Sequence, residues 1–105
     1  MKTEQQLQKY IRTAALEQRI RFYKLHAEGK VGFPDVMLAS RGHVVFIEVK
    51  SPSGTGRLRA GQNRIIKELT EQGLEVYVID SKSEAEAIIT RITDREPKHC
   101  DRPAI

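Results

Sequence analysis

The hydrophobic period changes along this chain, and the changes mark out seven elements. Leu7, Tyr10, Ile11, Ala14 and Ala15 recur at helical spacing behind a Thr3/Gln6 capping-box pattern, which predicts a first helix over Glu4 to Glu17. Ile20 to His26 is rich in β-formers with partial alternation and predicts a first strand, followed by a polar loop, Ala27 to Val31. Two short apolar runs follow, Val36 to Ala39 and Val44 to Val49. They are broken at Ser40-Arg41-Gly42-His43, where Gly42 supplies the positive φ of a tight turn. After the turn-forming stretch Ser51 to Gly56, the stripe Leu58, Gln62, Ile65, Leu69 predicts a helix that Gly73 terminates. Glu75 to Ile79 then reads as a buried strand. Ser83 with Glu86 predicts the cap of a last helix, whose stripe is Ala85, Ile88, Ile89 and Ile92. The order is αβββαβα. The connection through the second helix is long enough for a right-handed crossover, which makes the last strand a parallel neighbour of the hairpin.

Composition narrows this to one domain. A chain of 105 residues buries about two-thirds of its unfolded surface, so its core is thin and a dimer partner would support it. We expect the domain over residues 1–94 and a polar, proline-containing tail over 95–105, free to be disordered or to clasp a partner. A net charge of +4 and a pI near 9.4 favour a polyanionic partner. The single cysteine, Cys100, excludes an intrachain disulfide framework and fits a reducing compartment. With no apolar run of membrane-spanning length and no signal-peptide core, the expected location is the cytoplasm.

The candidate chemistry lies in the hairpin. If Arg41-Gly42 is a two-residue loop, Ser40 pairs with His43; counting back along both strands then sets Asp35 opposite Glu48, with Lys50 two residues on along the same face. Directly opposed like charges destabilise a sheet, so a divalent cation between the two carboxylates is expected. Carboxylate oxygens without His or Cys nearby suit Mg²⁺ or Mn²⁺. The bland alternative is an acid that merely begins a strand, with a solvated charged pair at the strand end. For Gln62 the alternatives are a buried amide partnered at the metal-site end of the sheet or a side chain at the stripe's edge in water. Lys24 reads equally as a phosphate contact or as an edge-strand lysine that discourages pairing. Lys24, Lys30, Arg41, Arg57, Arg59, Arg64 and Lys67 are the candidate contacts to a polyanionic partner around the site, as charge that neutralises phosphates.

Gly32-Phe33-Pro34-Asp35, Glu48-Val49-Lys50-Ser51-Pro52, Arg57-Leu58-Arg59-Ala60-Gly61-Gln62 and Gly73-Leu74-Glu75-Val76 together resemble the PD-(D/E)xK nuclease superfamily, and within it the VRR-NUC family of virus-type replication and repair nucleases. Ser51 stands where the family more often has Gly, a departure confined to a loop. The resemblance implies a mixed central sheet flanked by helices, a small homodimer of the stand-alone viral or bacterial type, and DNA as substrate, with branched forms such as a four-way junction favoured. It also implies that the Val49 backbone carbonyl joins Asp35 and Glu48 as a metal ligand. An early glutamate of the first helix completes the set, Glu4 or its competitor Glu17; from pattern alone, Glu4 serves equally as a charge favourable to the helix dipole. Lys50 would hold the attacking water and Gln62 would orient that water or a phosphate oxygen. The expected activity is sequence-independent endonucleolytic cleavage. The competing readings are a restriction-type enzyme and a catalytically silent DNA-binding module.

Overall fold

A computed structural model describes residues 3–26, 32–53 and 60–98. Its elements follow the expected order: α1 (Glu4–Glu17), β1 (Arg21–Lys24), β2 (Val36–Ser40), β3 (His43–Val49), α2 (Ala60–Glu71), β4 (Glu75–Ile79) and α3 (Lys82–Thr93). The capping box at Thr3 and Gln6 forms as expected, each side chain accepting the other residue's backbone N–H. β1 is shorter at both ends than the run Ile20 to His26 suggests. Ile20 instead closes α1, its N–H reaching the Ala15 carbonyl at 2.9 Å across Arg19, which takes the left-handed conformation (φ 60°) usually given to glycine.

The four strands lie side by side in chain order, β1 antiparallel to β2, β2 antiparallel to β3, and β3 parallel to β4. Ser40 pairs with His43 across a turn in which Arg41 (φ 49°) and Gly42 (φ 86°) are both left-handed, the backbone that matches the right-handed twist of the flanking strands. That register carries side-chain parity through the sheet. Val36, Leu38, Val45, Ile47, Val49 and Ile79 share a core with Leu7, Ile11 and Ala15 of α1 and with Ala85, Ile88, Ile89 and Ile92 of α3. The alternate residues of β2 and β3 face the other way, toward α2, whose Ile65 is buried outside that core. This second face holds Glu48.

Two helix ends and the tail bear on the sequence reading. α2 closes through Gly73 (φ 82°): the Gly73 N–H reaches Thr70 and the Leu74 N–H reaches Leu69, so two terminal carbonyls are satisfied. The cap of α3 is Ser81, not Ser83. Two Ser-x-x-Glu patterns overlap here, and the earlier one forms because Ser81 lies extended just after β4. Its hydroxyl accepts the Glu84 N–H, while the Glu84 carboxylate accepts from Asp80 N and Ser81 Oγ. Glu86, freed of capping, accepts the Tyr10 hydroxyl at 2.6 Å. Packed structure also continues past residue 94. Arg95 pairs with Glu75 at 2.7 Å, and the Lys98 N–H bonds the Arg41 carbonyl at 2.8 Å, so this stretch is seated on the hairpin turn of its own chain.

Candidate active site

Strand parity delivers Glu48 and Lys50 to the α2 face at the end of β3, with the Lys50 backbone N–H fixed on the Ile79 carbonyl at 2.8 Å. Asp35 sits immediately before β2. Since Val36 pairs with Ile47, Asp35 falls beside Glu48, and its Oδ2 accepts the Val49 N–H at 3.1 Å. That bond fixes the carboxylate where the ladder ends. The preceding residues hold this corner in place. Pro34 is buried, and Phe33 meets Phe46 edge-to-face at 5.9 Å.

Gly32 explains why the motif begins where it does. Its φ is +95°, and a Cβ there would lie 2.6 Å from the Gln62 backbone nitrogen and 2.7 Å from the Gly61 carbonyl carbon. The loop therefore presses directly on the first turn of α2, a contact only glycine permits. Gln62 is thereby set over the β3 end. Its Oε1 accepts from Lys50 Nζ at 2.9 Å and its Nε2 donates to Glu48 Oε2, while Lys50 Nζ also reaches Glu48 Oε2 at 2.9 Å. Of the two sequence alternatives for Gln62, the buried and partnered one describes this geometry.

The three-way contact satisfies only one oxygen of Glu48. The residue is 3% exposed, yet its Oε1 has no hydrogen-bond partner, and the neighbouring Asp35 is another acceptor that cannot provide one. Burial pushes the Glu48 carboxyl up to about 7; the Lys50 ammonium opposes the rise and the Asp35 charge adds to it. A buried, partly unsatisfied carboxylate beside a second carboxylate suits a hard divalent cation, so the donor set fits Mg²⁺ or Mn²⁺. Among the described residues no cluster of three or more Asp, Glu, His or Cys side chains is assembled there.

The remaining candidates scatter. Glu4 is exposed in the first turn of α1. Its neighbours Gln5 and Gln8 share a concavity with Lys24, at the end of β1 next to Asp35, whereas Glu17 leads into the start of β1 at the turn end of the sheet. The side chain of Val49 belongs to the core. Lys24 lies at the same end of the sheet as the acids but on its other face: it pairs with Val36, so it points to the α1 face, opposite Glu48. Arg41 is also displaced from the site. It sits at the far end of the hairpin and donates to the Thr93 carbonyl at 2.7 Å and the Ile92 carbonyl at 3.5 Å, closing the C-terminus of α3. Arg64 and Lys67 are exposed on α2. Lys30, Arg57 and Arg59 lie outside the described residues.

Comparison with known proteins agrees with this architecture. The family profile described as the VRR-NUC domain matches residues 1–83. A solved structure described as a VRR_NUC domain superposes with a TM-score of 0.75 at 26% identity, covering 86% of this chain and 97% of its own. No curated protein matches. With a profile match over most of its length and the same arrangement of strands and helices, the chain belongs to the VRR-NUC family of nuclease domains.

Proposed function

We propose that this chain is a divalent-metal-dependent endodeoxyribonuclease that hydrolyses phosphodiester bonds of DNA without sequence preference, acts on branched forms such as four-way junctions, and works as a homodimer. The observation that carries the metal-dependent reading is Glu48: a buried carboxylate with one oxygen lacking a donor, beside Asp35 and held by Lys50 and Gln62. The preferred substrate form and the dimer rest on the family resemblance.

Asp35 and Glu48 would hold Mg²⁺ or Mn²⁺, with the Val49 carbonyl and Glu4 as further ligands. Bound there, the ion supplies a lowered water pKa and stabilisation of charge on the phosphoryl oxygens. The chain contributes the rest. Asp35 is oriented by the Val49 N–H, which keeps its carboxylate turned toward Glu48. Gln62 ties Lys50 to Glu48, so the ammonium stays at the rim of the acid pair, where it can orient the attacking water and offset charge developing on the phosphate. Exposed Arg64 and Lys67 lie on the same helix as Gln62 and supply charge for flanking phosphates.

The test is incubation with labelled junction, flap and duplex DNA in Mg²⁺, Mn²⁺ or chelator. Products that require metal and favour branched DNA support the reading. DNA binding undiminished in chelator, with no product in Mn²⁺, would instead identify a silent binding module. Cleavage confined to one base sequence would identify a restriction-type enzyme. Size-exclusion chromatography with light scattering checks the dimer, and a monomer at working concentration removes that part.

A further inference from the structure

The sheet divides the basic residues between its faces, and one group belongs to no part of the site. Lys24 shares the α1 face with Phe22, and together they form one wall of a groove of about 480 Å³ whose other wall is α1. Gln5, Gln8, Lys9 and Arg12 line that wall. Their spacing makes them a single stripe along the helix, beside the buried stripe of Leu7, Ile11 and Ala15. Phe22 is half-buried against the core and gives the groove an apolar floor. Lys9, Arg12 and Lys24 are all exposed, and among the described residues none of them has an ion-pair partner. Among the described residues no acid lines the groove, and Glu17 borders only the neighbouring concavity beyond Lys9 and Arg12.

We infer that this groove between α1 and the edge strand β1 holds the sugar–phosphate backbone of nucleic acid outside the cleavage site. The inference rests on the nuclease reading for the identity of the polyanion. Three unpaired cations over one short groove repel one another until a polyanion enters, and each then neutralises a phosphate. The dimensions agree. From Gln5 to Arg12 the helix advances roughly 10 Å, about three phosphates of one duplex strand at ~3.4 Å of axis each. The two glutamine amides add neutral donors for phosphate oxygens, and the Phe22 floor accommodates sugar without competing for hydrogen bonds.

Its position defines which part of the substrate it holds. Leu25, the residue after Lys24, donates its N–H to the Asp35 carbonyl at 2.7 Å, so the groove opens at the same end of the sheet as the acid pair but on the reverse face. A backbone seated there passes round the β1 edge. It is an arm of the substrate beyond the strand being cut.

The experiment is fluorescence anisotropy of labelled duplex and junction DNA in chelator, across a salt series, with wild type, Lys9→Ala/Arg12→Ala/Lys24→Ala and the control Lys82→Ala on α3. Circular dichroism checks that each variant is folded. Losing three phosphate contacts, at about 0.9 each in log–log slope, means that between about 50 and about 200 mM salt wild type loses roughly 40-fold more affinity than the triple variant. Lys82→Ala should match wild type to within a factor of about two. A folded triple variant with wild-type affinity and slope overturns the inference, as does an equal loss in Lys82→Ala, which would mark net charge and not the groove. Cleavage assays on the same DNA separate this from the nuclease reading. A changed slope with no cleavage of any substrate leaves the groove and removes the enzyme; metal-dependent cleavage with an unchanged slope does the reverse.

Discussion

Replacing Glu48 by Gln tests the electrostatics of the site without requiring activity. Glu48 is 3% exposed and titrates near 7 in the folded chain against 4.5 ordinarily, so the folded state holds its proton over a range where the unfolded chain has released it. The unfolded state therefore binds fewer protons between pH 4.5 and 7, and stability falls as pH rises through that window. Below it the contribution is fully present. Above it the ionised carboxylate costs folding about 3 kcal/mol, at 1.36 kcal/mol per pH unit of displacement. Glu48→Gln removes this dependence and keeps the geometry: its carbonyl oxygen still accepts from Lys50 and Gln62, while its new amide can donate to Asp35.

Metal-free urea denaturation of both proteins from pH 4.5 to 8 measures the effect. The variant should equal wild type at the acid end and exceed it by about 3 kcal/mol at pH 8, a midpoint difference of about 2 M urea at m ≈ 1.5 kcal/mol/M. Glu75, held below the usual carboxylate range by Arg95, gives stability that is lost as pH falls, but it is present in both proteins and cancels in the difference. A Glu48→Gln protein with the pH slope of wild type would show that the carboxyl is not strained by burial, and the argument for a cation at this position would lose its basis. Added Mn²⁺ should reverse the order once it reaches about a thousand times its Kd, where it stabilises wild type by about 4 kcal/mol.

Lys50→Ala should retain the fold and DNA binding yet cleave at least about 100-fold more slowly, measured by single-turnover kinetics; wild-type rates would defeat its role. Gly32→Ala must place a Cβ 2.6 Å from the Gln62 backbone, so it should lose more than about 1 kcal/mol together with activity, while Gly73→Ala, at open φ +82°, should lose about 1 kcal/mol alone. Ser81→Ala should cost about 1 kcal/mol in thermal denaturation and Ser83→Ala a few tenths; the opposite order would contradict the observed cap. Arg41→Ala should lower stability by about 1 kcal/mol through the lost bonds to the α3 carbonyls and leave DNA affinity unchanged; a weakened Kd would return Arg41 to the DNA surface.

What the sequence reveals here follows the reach of its periodicities. A two-residue turn fixes the parity of every residue on both strands, so pairing Ser40 with His43 already sets Asp35 beside Glu48 and both on the face that Lys50 shares. The same arithmetic stops at the edge of the hairpin. Lys24 belongs to β1, whose register no turn signal gives, and once it pairs with Val36 it faces away from the acids. Arg41 fails differently: its place in the loop is legible, but a side chain that caps a helix fifty residues on depends on where α3 ends in space. Gly32 lies between these cases. Its sequence neighbours mark it as part of a motif, yet its physical reason is a backbone contact with Gln62, an element away, and that contact joins the loop carrying Asp35 to the helix carrying Gln62. Local patterns thus assemble the acid pair, whereas the lysine–glutamine clamp over it needs the tertiary fold. It follows that substitutions at Gly32 should perturb Gln62 and Asp35 together, a coupling that neither residue's own surroundings would suggest.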